Sequence, residues 1–190
     1  MSVLIVHATA RQSSVEIAQQ IADRLVKSGF AVSVRPVQKV ESIQSGQPVV
    51  LGSDLYEQEW LPDAFEFLRR FSVELARSPV WLFSAGPKGE RSLDPKVLSL
   101  VHHDSNRRAA VAAECDTIRA RDHRLFSGEF ERGAWSMLGD LFSKICGGSP
   151  ADHRDWRDIN AWASDIAREL QRLDHLKERR RLHLSVRGRP

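Results

Sequence analysis

Only two cysteines, Cys115 and Cys146, occur in 190 residues, and they form neither a C-x-x-C pair nor a disulfide framework. That scarcity excludes the disulfide-stapled class and suits a reducing compartment, where each is read as a small packed residue. No apolar stretch approaches the ~20 residues needed to cross a bilayer. Met1 leads almost directly into the first apolar run, so no secretory signal is expected. Metal-site spacing is missing too. His102-His103-Asp104 comes nearest, but adjacent side chains diverge and no second ligand pair is suitably placed, so a solvated loop is expected there and no metal. Nor does spacing assemble a Ser/His/Asp or Cys/His set.

Charge of one sign is scarce except at one end. The whole chain carries +3. From Lys177 onward, six basic residues (Lys177, Arg179, Arg180, Arg181, Arg187, Arg189) face the single acid Glu178. Subtracting that +5 from the total leaves −2 on residues 1–176. A nucleic-acid-binding domain carries its basic charge on the fold itself, so no nucleic-acid partner is expected.

What is present is a 42% hydrophobic content, enough for the core of one domain. Val3-Leu4-Ile5-Val6, Val49-Val50-Leu51 and Val80-Trp81-Leu82-Phe83 are apolar without alternation, as a parallel sheet covered on both faces requires. Ile17, Ala18, Ile21, Ala22 and Leu25 recur on one helical face, and Gly29 stops that helix. Ala31 to Pro36 alternates and then meets a proline, which suits an edge strand. A helix from about Leu61, with Pro62 in its first turn, carries Phe65, Leu68, Phe71 and Leu75. Further helices are expected over Ala109 to Ile118, from Trp135 to Ile145, and from Trp156 to Leu173 with Asp155 as cap. His123-Arg124-Leu125-Phe126 reads as a fifth strand, with His123 merely flanking it. The element order predicts an α/β doubly wound five-stranded parallel sheet, order 2-1-3-4-5, with helices on both faces and extra C-terminal helices. Residues 1–178 form the domain in this reading, and 179–190 a basic, mobile tail.

Ligands of such sheets bind at the carboxyl ends of the strands. There the three apolar runs are expected to open into turns: His7 to Ser14, Gly52 to Tyr56, and Ser84 to Pro87. The first turn offers hydroxyls at Thr9, Ser13 and Ser14, the charge of Arg11, and backbone N–H groups of a helix start, which together suit a terminal phosphate. Ser13 with Glu16 is equally an ordinary capping box. Tyr56 and Trp60 place two rings beyond the second strand. Either they flank a flat heteroaromatic ligand, or they pack locally, as is expected of Trp60 beneath the helix starting at Leu61.

Taken in order, these stretches resemble the flavodoxin family. Thr9-Ala10-Arg11-Gln12-Ser13-Ser14-Val15-Glu16-Ile17-Ala18 is similar to its FMN-phosphate loop, and Gly52-Ser53-Asp54-Leu55-Tyr56 with Trp60-Leu61-Pro62-Asp63-Ala64 to its second loop. Trp81 to Pro87, Phe126-Ser127-Gly128 and Gly147 to Trp156 match later landmarks, so the likeness runs from about Val3 to Leu173. The double glycine and the Asp-x-Arg-Asp-Trp ending look most like the menaquinone-dependent protoporphyrinogen oxidase branch. The resemblance implies FMN as cofactor, with Thr9, Arg11, Gln12, Ser13 and Ser14 at the phosphate and Ser53, Tyr56, Ser84, Ala85 and Gly86 at the ring. It implies either electron transfer or an FMN-dependent oxidoreductase, and a redox partner or small-molecule electron donor or acceptor. A cytoplasmic location is expected, with the basic tail available for peripheral contact at the inner face of the membrane. Two residues depart from the pattern: His7 stands where the family more usually has an apolar or aromatic residue, and Gln12 stands where it has glycine. Gln12 favours an alternative, a degenerate flavodoxin-fold protein that has lost FMN and serves as an interaction scaffold.

Overall fold

A strand that is apolar at every position has to be covered on both sides, and the first strand is. In the computed structural model of the chain, residues 1–9, 13–56, 59–86, 118–127 and 155–187 are described. Strand β1 (Ser2–Ala8) turns Val3 and Ile5 to one helical layer and Leu4, Val6 and Ala8 to the other. It pairs in parallel with β2 (Ala31–Pro36) on one side and β3 (Val49–Tyr56) on the other. β4 (Glu59–Trp60) is a two-residue return antiparallel to the end of β3. β5 (Val80–Gly86) and β6 (Asp122–Ser127) continue the parallel sheet, giving the order β2-β1-β3-β5-β6. With β4 set aside, this is the predicted 2-1-3-4-5 arrangement. Among the described strands β2 has a neighbour on one side only, so Pro36 lies on an edge of that sheet, as its missing N–H requires.

Helices cover both faces. On one, α1 (Ser13–Lys27) buries Ile17, Ala18, Ile21, Ala22 and Leu25 against the strands and against the C-terminal helix, which runs over Trp156–Arg187. That helix contributes Ile159, Trp162, Ala163, Ile166, Ala167 and Leu170 to the same core. On the other face α2 (Pro62–Arg70) and α3 (Ser72–Ala76) bury Ala64, Phe67, Leu68 and Leu75 over Leu4, Val6, Leu51 and Leu82. The C-terminal helix is α4 in chain order.

The helix ends obey local chemistry. Gly29 adopts φ +91°, and the bonds Phe30 N–H to Leu25 O (3.1 Å) and Gly29 N–H to Val26 O (2.9 Å) close a Schellman motif after α1. Asp155 Oδ1 accepts from the N–H groups of Arg157 (3.0 Å) and Asp158 (3.2 Å), so it caps α4.

Three expectations change. The single helix expected from Leu61 to Leu75 is two helices, broken at Phe71 (φ −111°, ψ 21°). Phe71 and Leu75 are both buried, so the break sacrifices no apolar contact. Second, Gly52-Ser53-Asp54 and Ser84-Ala85-Gly86 are strand and not turn. Ladder pairing carries on through Ala8 opposite Ser53, Asp54 opposite Ala85, and Gly86 opposite Ser127. Third, the helical backbone of α4 continues to Arg187, through most of the segment expected as a tail, although Leu170 is the last buried residue among those whose side chains are described. The helix expected over Trp135 to Ile145, nearly all of that over Ala109 to Ile118, both cysteines, and His102-His103-Asp104 lie outside the described residues.

Candidate functional site

Strand alternation sends successive side chains of β3 to opposite faces. Val50 faces α1 and α4, so Gly52 and Asp54 follow it there, while Ser53 turns to the α2 side with Leu51. The carboxyl end of the sheet therefore carries two separate polar clusters.

The first lies at the start of α1. The Asp54 side chain is buried, with 4% of its surface exposed, at the rim between β1 and β5. Thr9 Oγ1 donates to Asp54 Oδ2 at 2.8 Å, and the Ser14 backbone N–H donates to Asp54 Oδ1, also at 2.8 Å. Ser14 Oγ in turn donates to the Ala8 carbonyl at 2.9 Å, closing the turn from β1 into α1. A carboxylate is thus held by a hydroxyl and by a free N–H at the positive end of a helix dipole, the donor set suited to an oxyanion. His7 lies on the same face one strand away. It is 8% exposed, and its Nδ1 is buried without a hydrogen-bond partner. Burial pushes the His7 pKa below its usual value, with the Asp54 charge opposing that shift only in part.

The second cluster lies on the α2 face. Ser84 Oγ accepts from Trp60 Nε1 at 2.8 Å and lies 2.9 Å from His123 Nε2. Trp60 and His123 meet edge to face at 5.9 Å. Burial lowers the His123 pKa to about 4, against a smaller opposing contribution from Asp122, so the ring is neutral at physiological pH. Trp60 can only donate, which leaves the Ser84 hydroxyl proton available to His123 Nε2. Ser53 Oγ donates to the Asp54 carbonyl (2.9 Å) and accepts from Leu61 N–H (3.1 Å), tying β3 to the start of α2.

Placed against the sequence, the expected residues divide. Thr9 and Ser14 converge on one anion. Ser13 is buried at the first turn of α1. Arg11 and Gln12 lie outside the described residues. Ser53 and Ser84 are buried and bonded within the protein, and the Ala85 side chain is in the α1-side core, which leaves it only a backbone to offer a ligand. Tyr56 closes β3 opposite Glu59, and Gly86 ends β5. His123 does more than flank its strand, because it is part of β6 and reaches Ser84 across the sheet. Trp60 packs at 6.3 Å from Phe65 of α2, as expected, and also bonds Ser84. Asp54 received no role from the sequence. Its signal was present all the same: a carboxylate continuing an apolar run, in the strand beside the helix-start turn. Among the described residues, no group of His, Cys, Asp or Glu is placed to hold a metal ion.

A doubly wound α/β sheet with an anion-holding helix start at its carboxyl rim defines the class of ligand-binding proteins to which flavodoxins belong. The flavodoxin domain signature matches residues 4–129, more than half of the chain, and the protein belongs to that family. No curated protein matches it in sequence. Solved structures resemble it in fold. Rubredoxin oxygen:oxidoreductase from Desulfovibrio gigas is 14% identical with a TM-score of 0.56, matched over 90% of this chain but only 36% of its own. Flavodoxin 2 from Bacillus cereus is 14% identical (TM-score 0.53; 89% of this chain, 99% of that one). A flavodoxin from the domain Archaea is 12% identical (TM-score 0.52; 90% and 99%). The chain thus spans nearly all of these two flavodoxins and about a third of the oxidoreductase. At such identities the likeness speaks for the fold.

Proposed function

We propose that this protein is a flavodoxin-type redox protein that binds FMN at the carboxyl rim of β1, β3 and β5. One observation carries the reading. The donors expected to hold a phosphate, Thr9 Oγ1 and Ser14 N–H, converge within 2.8 Å on the oxygens of a single anion, here the carboxylate of Asp54. The donor set fits a phosphate, and the carboxylate is its stand-in. Thr9, Ser14 and the turn between them would hold the FMN phosphate, while Tyr56 and the backbone ends of β3 and β5 would lie beside the ring. The flavin supplies the electron chemistry, and the protein fixes its position and tunes its potential.

The test is retention of flavin. Purified protein incubated with FMN and desalted is expected to keep the yellow absorbance, and titration is expected to quench flavin fluorescence. Protein that stays colourless with both FMN and riboflavin removes the redox reading and leaves the scaffold alternative. The finer assignment, a protoporphyrinogen oxidase-type dehydrogenase, is supported by the sequence likeness of Gly147 to Trp156 alone. Anaerobic reduction of the flavin-loaded protein by protoporphyrinogen, followed by reoxidation with a menaquinone analogue, tests it. Failure of the first half-reaction leaves the electron carrier.

A further inference from the structure

The C-terminal helix is longer than the sheet it covers, and the surplus leaves the fold at a defined end. α4 runs parallel to α1: Gln20 Nε2 donates to Asn160 Oδ1 at 2.8 Å, and one turn further Arg24 Nε donates to Ser164 Oγ at 2.9 Å. Its first turn therefore lies at the carboxyl rim, beside the start of α1. By Glu169 it has reached the amino ends of the strands, because Glu169 pairs with Arg121, whose backbone N–H donates to the Val80 carbonyl at 2.7 Å. The helical backbone goes on to Arg187. That is about 25 Å beyond Leu170, at a rise of ~1.5 Å per residue.

Leu173 is half-buried and residues 174–179 are all exposed, so over that stretch the fold covers no face of the helix. Tertiary packing, the main source of helix stability in proteins, adds nothing there. Leu176 is 51% exposed, next to the exposed Lys177 and Arg179. Further along, the sequence sets Leu182, Leu184 and Val186 among basic residues, and from Lys177 onward the charge is +5 against −2 for the rest of the chain. Cations alone would suit any polyanion. Leucines interleaved with them suit a lipid interface, where apolar side chains enter the acyl boundary while the cations meet the headgroups. We propose that this overhang docks the protein on an anionic phospholipid surface, and that docking leaves the carboxyl rim open to a partner from solution. The second part follows from the course of α4. Its 32 residues span about 48 Å, with the rim at one end and the basic segment at the other. The docking rests on charge and geometry alone; only the identity of the ligand at the open rim rests on the flavin reading.

The experiment is hydrogen exchange, read by mass spectrometry on the full chain, with vesicles of phosphatidylcholine alone or of phosphatidylcholine mixed with phosphatidylglycerol. Slower exchange is expected over residues 171–187 on the anionic vesicles only, with the rim segments at the ends of β1, β3 and β5 unchanged. Lys177→Gln and Arg179→Gln are each expected to weaken binding to the anionic vesicles by about fivefold, the equivalent of ~1 kcal/mol per basic residue near the lipid. Leu176→Gln is expected to weaken it by about fourfold or more, the worth of a methylene withdrawn from the acyl region. All three side chains are exposed, so the Tm of each variant is expected to match that of the unmodified protein. Slowed exchange at the rim on anionic vesicles overturns the inference, as does equal slowing on neutral vesicles or none on either. Slowing by heparin equal to that by vesicles, with Leu176→Gln silent, overturns the commitment to lipid and assigns the overhang to a polyanion in solution. None of these readings needs a flavin. Failure to bind FMN leaves the inference intact, and failure to dock leaves the flavin reading standing.

Discussion

Ser84 shows how one hydroxyl can hold a rim together. It is 3% exposed and satisfies two ring nitrogens at once, Trp60 Nε1 and His123 Nε2. Ser84→Ala removes no large side chain but leaves both nitrogens without that partner, and buried polar atoms so stranded cost ~1–3 kcal/mol. The expected loss of unfolding free energy in urea is of that size, and a loss near zero would show that water replaces the hydroxyl. His123 adds a pH dependence. Its folded-state pKa of about 4 lies below the 6.5 of the free side chain, so the unfolded chain binds the extra proton first. The contribution is therefore fully present above pH 6.5 and is lost as pH falls from 6.5 toward about 4. His7, shifted in the same direction, steepens the fall. Stability measured across that window is expected to drop, and His123→Gln, which keeps a hydrogen-bonding partner for Ser84 without a titrating ring, is expected to flatten the curve. A slope unchanged by His123→Gln assigns the acid sensitivity elsewhere.

At the scale of elements, Gly52 and Phe83 decide how β3 and β5 fit. The two are paired in the ladder, and a Cβ on Gly52 would come within 1.9 Å of Phe83 Cζ and 2.2 Å of Cε1. The ring therefore lies across the bare glycine, and it is locked there by Phe126 and Trp162 at 6.2 and 6.3 Å. Trp162 is tied in turn by its Nε1 to Asp122 Oδ2 at 2.7 Å, which joins α4 to β6. Gly52→Ala has to move a fully buried aromatic ring, and such overpacking costs ~1–3 kcal/mol or more. Calorimetry is expected to show a clear fall in Tm, partly recovered by combining Gly52→Ala with Phe83→Leu. Equal Tm values for Gly52→Ala and the unmodified protein would mean that the ring has room to turn aside.

For the whole molecule, the informative boundary is where burial ends. Among the described side chains of the C-terminal helix the last buried one is Leu170, and Leu176 is 51% exposed. Charge then accumulates to +5 over the final fourteen residues, on a chain otherwise at −2. Deleting residues 179–190 is expected to leave Tm and flavin affinity nearly unchanged, because the apolar helical rhythm of the sequence ends near Leu176. Among the described residues no helix is long and apolar enough to cross a membrane. Peripheral attraction to an anionic surface remains open to the basic end, at about 1 kcal/mol per basic residue near the lipid, and fades with salt. Sedimentation with vesicles containing anionic lipid is expected to be weaker for the truncated protein. Equal sedimentation of both forms removes the membrane role.

Periodicity in the sequence was enough for the sheet order, the apolar faces of α1 and α4, the Gly29 stop and the Asp155 cap, because each depends on spacing or on chemistry within a few residues. The same local signals marked Thr9 and Ser14 as anion donors. They were silent on which anion those donors hold, since Asp54 is 45 residues from Thr9 and 40 from Ser14. His123 likewise reaches Ser84 over 39 residues. Strand length escaped for a related reason: Gly, Ser and Asp read as turn formers, yet the ladder extends as far as neighbouring strands supply partners. Only parallel register brings β1, β3, β5 and β6 side by side, and only that register turns a turn-like Gly-Ser-Asp into a buried strand end with its carboxylate in the helix-start seat.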